Sequence, residues 1–204
     1  MVHKEPKKPR GRPKTYHSDQ ALLGAMQAFW TLGFSGTSVD ILSDATDMNR
    51  PSMYAAFGDK RALYLKTLER YTQAAEASIL KALAPDRSLA DGLRALFDQA
   101  LRTYSSGEAG AQGCYLIGTA ATEAVSDPEI RTVLNKSLRS FETLIAARIE
   151  LAKKSGELPR SADPEALAMT ASAFLHSLAV RSRSGETRAR LKSLIDTAIA
   201  TVCS

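Results

Sequence analysis

The chain has 204 residues, 44% hydrophobic and 24% charged, with a formal net charge of +5 and a sequence pI near 9.3. That is enough apolar material to bury a core in one or two domains, and it argues against a wholly disordered chain. No run of 18 or more apolar residues occurs and no apolar stretch follows the N-terminal charges, so a membrane-spanning helix and a signal peptide are not expected and a cytoplasmic protein is.

The excess charge is gathered at one end. Residues 1–14 carry Lys4, Lys7, Lys8, Arg10, Arg12 and Lys14 against Glu5 alone, while the remaining 190 residues hold 21 basic and 21 acidic side chains. Residues 1–17 therefore read as a flexible basic arm suited to a polyanion, with a merely solvated tail as the alternative. Within it, Pro9-Arg10-Gly11-Arg12-Pro13 resembles an AT-hook core. The prolines hold the backbone extended, Gly11 permits close approach, and Arg10 and Arg12 can enter the narrow, negative minor groove of A·T-rich DNA. Five residues alone do not separate groove reading from plain charge.

From Ser18 to Leu32, Leu22, Ala25, Met26, Phe29 and Trp30 recur at helical spacing, and Gly33 supplies a stop. The aromatic residues at that spacing read as core. Ser38 is a good N-cap for a short helix that turns Val39, Leu42 and Ala45 inward and places Asp40 in its first turn. Thr37 or Ser38 can offer a hydroxyl and backbone N–H groups to a phosphate, or can serve as a cap and nothing more. A second short helix opens at Asn49-Arg50-Pro51, with Pro51 in its first turn and Arg50 before it displaced from helical geometry. Met53 and Phe57 face inward, leaving Ser52, Tyr54 and Ala55 outward. Two short helices joined tightly form a helix-turn-helix layout, whose second helix meets base edges with its N-terminal end. Arg can bond guanine, and Asn adenine, bidentately.

The pattern Gly33-Phe34-x-x-Thr37-Ser38-Val39, followed by Pro51-Ser52-Met53-Tyr54-Ala55-Ala56-Phe57-Gly58-Asp59-Lys60-x-x-Leu63-Tyr64, resembles the N-terminal domain of the tetracycline-repressor (TetR/AcrR) family of transcription regulators. The resemblance covers about a quarter of the chain and joins several spaced elements. It implies that Tyr54 and Lys60 contact phosphates, that Thr37 or Ser38 does so from the preceding helix, and that Asn49, Arg50, Pro51 and Ser52 supply sequence readout. The family usually has a glycine in the turn where this chain has Thr46, so a positive φ at that position would strain the backbone.

Asp59 caps a long helix to Ala84, a lever that can run from the DNA-reading unit into a second domain. Ser88 starts a helix ending near Tyr104, and Gly107 to Gly113 form a hinge or loop. A short apolar helix is expected from Cys114 to Val125. Further helices follow from Asp127-Pro128 to Lys154, from Asp163-Pro164, and from Glu186 or Thr187 onward. Gly113-Cys114-Tyr115-Leu116-Ile117, followed by Ser126-Asp127-Pro128-Glu129-Ile130, resembles a pattern found in a subset of the same family. The fold class is thus all-α, about nine helices, divided into the arm at 1–17, a helix-turn-helix domain at 18–65 and a helical domain at 66–204.

Catalytic chemistry has little support. His3, His17 and His176 have no partners at metal-ligand or triad spacing, and Cys114 and Cys203 lie far apart, so neither metal, cofactor nor disulfide is expected. His176 reads as a hydrogen-bonded core or interface residue, and Cys114 as a packed thiol unless something activates it. The resemblance implies instead a small-molecule pocket among the middle helices and a homodimer through the last two. A pocket lined by Phe97, Leu101, Tyr104, Ile117 and Phe141 would suit an apolar or aromatic effector, though each could equally be plain core. Two copies would place two reading helices on double-stranded DNA as an inverted-repeat operator. The expected function is a sequence-specific regulator, more readily a repressor. The alternatives are an architectural binder of A·T-rich DNA and, with least support, a helical enzyme.

Overall fold

The computed structural model describes residues 15–107 and 110–204. Arg10, Gly11 and Arg12 lie outside them. Nine α-helices and one π-helical turn make up the described residues, and no strand occurs among them. No helix among them is long and apolar enough to cross a membrane.

The N-terminal head consists of α1 (Thr15–Gly36), α2 (Val39–Thr46) and α3 (Arg50–Phe57). Gly33 breaks α1 at φ 73°, ψ 170°, so the expected stop is a kink and the helix resumes as far as Gly36. Ser38 caps α2, its side chain accepting from the Ile41 N–H at 3.2 Å. Asn49 caps α3 in the same way through Ser52, at 2.9 Å. Helix α3 therefore starts at Arg50, one residue earlier than the proline suggested, with Pro51 in the first turn where its missing N–H costs nothing. Phe29, Leu42, Met53 and Phe57 are buried between these helices, each worth roughly 1.5–3 kcal/mol of burial. Gly24 lets α1 and α2 touch: a Cβ there would lie 1.9 Å from the Ala45 carbonyl oxygen.

The turn between α2 and α3 settles the question raised by Thr46. Thr46 is helical and buried, and its hydroxyl donates to the Leu42 carbonyl at 2.7 Å. The left-handed residue is Asp47, at φ 52° and ψ 37°, a conformation a short polar side chain tolerates better than a β-branched one. The turn closes without glycine because the positive φ falls one residue later.

Helix α4 (Lys60–Ala82) leaves the head and ends slightly earlier than expected, its last N–H bonds closing at Leu83. Its 23 residues span roughly 35 Å. The body continues with α5 (Leu89–Tyr104), the π-helical turn Leu116–Ala120 with the three-residue α6 (Ala121–Glu123), then α7 (Pro128–Ser155), α8 (Pro164–Arg183) and α9 (Arg188–Val202). The short helix expected from Cys114 to Val125 is thus mainly a π turn. Within it Thr119 donates to the Tyr115 carbonyl and accepts from the Tyr64 hydroxyl, at 2.8 and 2.7 Å. The Gly-rich connection is anchored at its far end: the N–H groups of Gln112 and Gly113 both donate to the Tyr104 carbonyl. At Gly113, φ 69°, a Cβ would meet the Ala179 carbonyl of α8 at 2.7 Å.

Candidate nucleic-acid interface and effector cavity

At the exposed end of α3, Asn49, Arg50, Pro51 and Ser52 stand together, with Tyr54 one turn further along. Capping uses Asn49 Oδ1, so its amide NH₂ is the group left to meet a base edge. Arg50 is held from α2: its Nε donates to Asp40 Oδ1 at 3.0 Å and its Nη2 pairs with the same carboxylate. That hydrogen bond raises the guanidinium further above its ordinary value. Both side chains are well exposed, so the pair adds little stability. What it does is orient Arg50.

The phosphate candidates separate. Thr37 is fully buried and donates its hydroxyl to the Gly33 carbonyl at 2.6 Å. Beside the Gly33 kink it faces inward, and of the pair Thr37 and Ser38 only Ser38 is exposed. Tyr54 is 44% exposed. Lys60 sits at the first position of α4 with its ammonium 4.4 Å above the Phe34 ring, which fixes where the charge stands.

The head is fastened to the body along one side. Arg61 of α4 forms a fork with Asp127, the N-cap of α7, at 2.5 and 2.8 Å, and reaches Glu129 at 2.7 Å. Hydrogen bonding to Arg61 holds the Asp127 carboxyl well below the usual carboxylate range. Gln112 donates to Thr31 of α1 at 2.9 Å. Between these polar ties, Phe29, Trp30 and Phe34 of α1 pack on Tyr64 and Tyr71 of α4 and on Tyr115, with ring centroids about 5 to 6 Å apart. Displacing α4 or the π turn must therefore move α1.

Behind this aromatic cluster lies a cavity of about 260 Å³ between α1, α4, α5, α7 and α8. Tyr104 and Phe141 line it. Phe97, Leu101 and Ile117 do not. On α5 the lining positions are Leu96, Gln99, Ala100, Thr103 and Tyr104, one helical face, while Phe97 and Leu101 lie on the adjoining one. Leu101 lines a groove with Ser182 and Leu191, and Ile117 lines a separate cleft with Gly113 and Arg183. Trp30 and Met26 of α1 complete the wall, and no pattern in the sequence marked them as cavity residues. Cys114 also lines it. Burial pushes its thiol up, which disfavours the thiolate. No group of three or more His, Cys, Asp or Glu side chains suited to a metal occurs among the described residues.

Two family models match the chain: "Bacterial regulatory proteins, tetR family" over residues 21–67, and "Tetracyclin repressor-like, C-terminal domain" over residues 90–201. The chain belongs to the TetR family.

Among its relatives in the TetR family, the HTH-type transcriptional repressor ComR of Escherichia coli (strain K12) is 27% identical over 194 residues, covering 95% of this chain and 92% of the relative. The HTH-type transcriptional repressor BdcR of the same organism is 30% identical over 145 residues, 71% of this chain and 72% of the relative. Of the solved structures, a cysteine mutant of the TetR family transcriptional regulator CifR complexed with 26bp double-strand operator DNA superposes with a TM-score of 0.78. It is 27% identical and covers 95% of this chain and 98% of that one. A TetR regulator from Cytophaga hutchinsonii, 15% identical, shares the fold with a TM-score of 0.81 over 95% of this chain and 96% of its own. This is a family of transcriptional regulators that bind DNA, not of enzymes.

Proposed function

We propose that this TetR-family chain is a repressor that binds an inverted-repeat operator as a homodimer and is released by a small molecule in the cavity. The observation that carries the reading is the exposed end of α3, where a capped helix presents Asn49, Arg50, Pro51 and Ser52 with Arg50 already oriented by Asp40. An oriented guanidinium loses less freedom on forming a bidentate bond to guanine. Ser38, Tyr54 and Lys60 serve as phosphate anchors around it. Relatives named as repressors, and a neighbour solved on operator DNA, support the sign and the target.

The working division is the arm at 1–17, the head at 18–65 and the body at 66–204, with the boundary inside α4. Arg10, Gly11 and Arg12 add minor-groove contacts beside the operator. Dimerisation uses α8 and α9. Its support is an exposed apolar stripe on α8, where Met169 and Val180 are 56% and 57% exposed with Ala173 between them, beside the small exposed residues Ser193, Thr197 and Ala200 of α9. An effector that moves α1 and α4 changes the spacing of the two heads, and a coupling of about 1–3 kcal/mol suffices to weaken operator binding five- to 150-fold.

Selection of genomic fragments by the purified protein tests the reading. An inverted repeat with half-sites about one helical turn or slightly more apart is expected. Recovery of fragments that share only A·T content would overturn it.

A further inference from the structure

We propose that the cavity takes a molecule with an aromatic body and an uncharged polar head that both donates and accepts hydrogen bonds, and that Ser172 and His176 of α8 hold this head. The inference rests on the cavity being the effector site.

The wall fixes the body of the ligand. No Asp, Glu, Lys or Arg belongs to it among the described residues, so an ion entering would lose its hydration without a counter-charge. Trp30, Tyr71, Tyr104 and Phe141 make it aromatic, and about 260 Å³ exceeds the roughly 150 Å³ that accommodates benzene, which leaves room for one substituted ring. Ser172 supplies the polar contact. It lines the cavity and is 3% exposed, yet its hydroxyl has no hydrogen-bond partner among the described residues. Hydroxyls elsewhere in these helices bond the carbonyl four residues back, as Thr170 of the same helix does with Ala166 at 2.9 Å and Ser137 with Val133 at 2.8 Å. Nor is the Ser172 oxygen sealed off: among the described residues, the polar side-chain atoms that are both unpaired and inaccessible belong to Trp30 and Arg148. Buried polar groups in folded proteins nearly always have a partner, and here the open space beside the hydroxyl is the cavity.

His176 completes the pair. It lines the same cavity, half-buried, and it too has no hydrogen-bond partner among the described residues. Burial pushes its imidazole down, with Glu142 of α7 opposing, so at neutral pH the ring is uncharged and offers one donor and one acceptor. Four residues apart on a helix, the two side chains stand one above the other with about 5–6 Å between Cβ atoms, close enough to bond two atoms of one small head. Other polar groups of the wall are already engaged: the Tyr71 hydroxyl donates to Cys114 Sγ at 3.4 Å, the Thr103 hydroxyl to the Gln99 carbonyl at 3.1 Å, and Gln99 Oε1 accepts from Arg102 at 2.9 Å. At roughly 100° per residue, His176 lies about midway round α8 between Ser172 and Val180. One helix thus carries the ligand contact on one face and the proposed dimer stripe of Met169, Ala173 and Val180 on the next.

Calorimetry on the full-length protein tests the pair with three probes of similar size: benzamide, neutral with donor and acceptor; ethylbenzene, with neither; and benzoate, an anion. Benzamide is expected to bind about tenfold or more tightly than benzoate. Ser172→Ala and His176→Leu should each weaken benzamide about three- to tenfold without weakening ethylbenzene, whereas Ser78→Ala, a wall residue of α4, should leave benzamide within about twofold. Ser172→Ala removes a single oxygen, so it carries the test if circular dichroism shows that His176→Leu does not fold. Preference for benzoate, a benzamide affinity that either folded variant leaves unchanged, an equal loss of benzamide and ethylbenzene, or a loss in Ser78→Ala as large as in Ser172→Ala would each overturn the proposal. Binding of none of the probes overturns it too. Operator binding by the same native sample decides the other reading: if it persists, the regulator stands and only the ligand contact falls; if it is absent, the regulator reading itself fails.

Discussion

Arg50 and Lys60 are both cations on the head, and their surroundings differ. Arg50 is aimed by Asp40 from the neighbouring helix, whereas Lys60 is a point charge parked over Phe34. Arg50→Ala should weaken operator binding by about 5- to 150-fold and relax preference at one base pair, read by competition with single-base operator variants. Lys60→Ala should weaken all sequences alike and lower the slope of log affinity against log salt by about one. Asp40→Asn separates orientation from charge: it removes a carboxylate that repels phosphate, so affinity for random duplex should rise while the operator's advantage shrinks. Most of these residues were legible in the sequence because helix-turn-helix spacing dictates which end of α3 is exposed. The choice between Thr37 and Ser38 was not, since adjacent residues share the same propensities and only in the fold, beside the Gly33 kink, does one of them face inward. The same holds for the cavity. A broad apolar stripe on α5 announces burial, but Leu96 and Ala100 differ from Phe97 and Leu101 only in which neighbour they meet.

Among the elements, the joint between α4 and α7 carries the clearest electrostatic signature. Arg61 depresses the Asp127 carboxyl, so the unfolded chain binds its proton more readily than the folded one. The contribution of the pair is therefore fully present above the unfolded carboxyl value, about 3.9, and is lost as pH falls through the lower folded value. Asn is as good an N-cap as Asp, so Asp127→Asn isolates the pairing. Its melting temperature should lie below that of the native protein at pH 7, with the gap narrowing below about pH 4; a pH-independent gap would mean a packing effect. The contact of α1 with α2 has a different origin. Gly24→Ala would drive a methyl group into the Ala45 carbonyl and should cost about 1–3 kcal/mol in denaturant unfolding through overpacking. Neither joint was visible in the sequence. Arg61 and Asp127 are 66 residues apart, and Gly24 sits in a helix where nothing local requires glycine. The caps Ser38, Asp59, Ser88, Asp127 and Asp163 were visible because each acts on its own next turn.

At the scale of the molecule, the head, the aromatic cluster and the cavity form one contiguous path, and in the proposed dimer the exposed stripe of α8 faces a second copy. Val180→Glu should leave the helices intact by circular dichroism yet yield a monomer by sedimentation, with operator affinity reduced to that of a single half-site. Sequence choice is the point at which a regulator and an architectural A·T binder part company, because both would be basic, helical and dimeric. The decisive measurement is a titration of the full-length protein with a genomic inverted repeat against random duplex at one fixed, physiological salt concentration. A regulator built on an aimed Arg50 should favour the repeat by about 10³ or more, and a ratio near one would contradict the account.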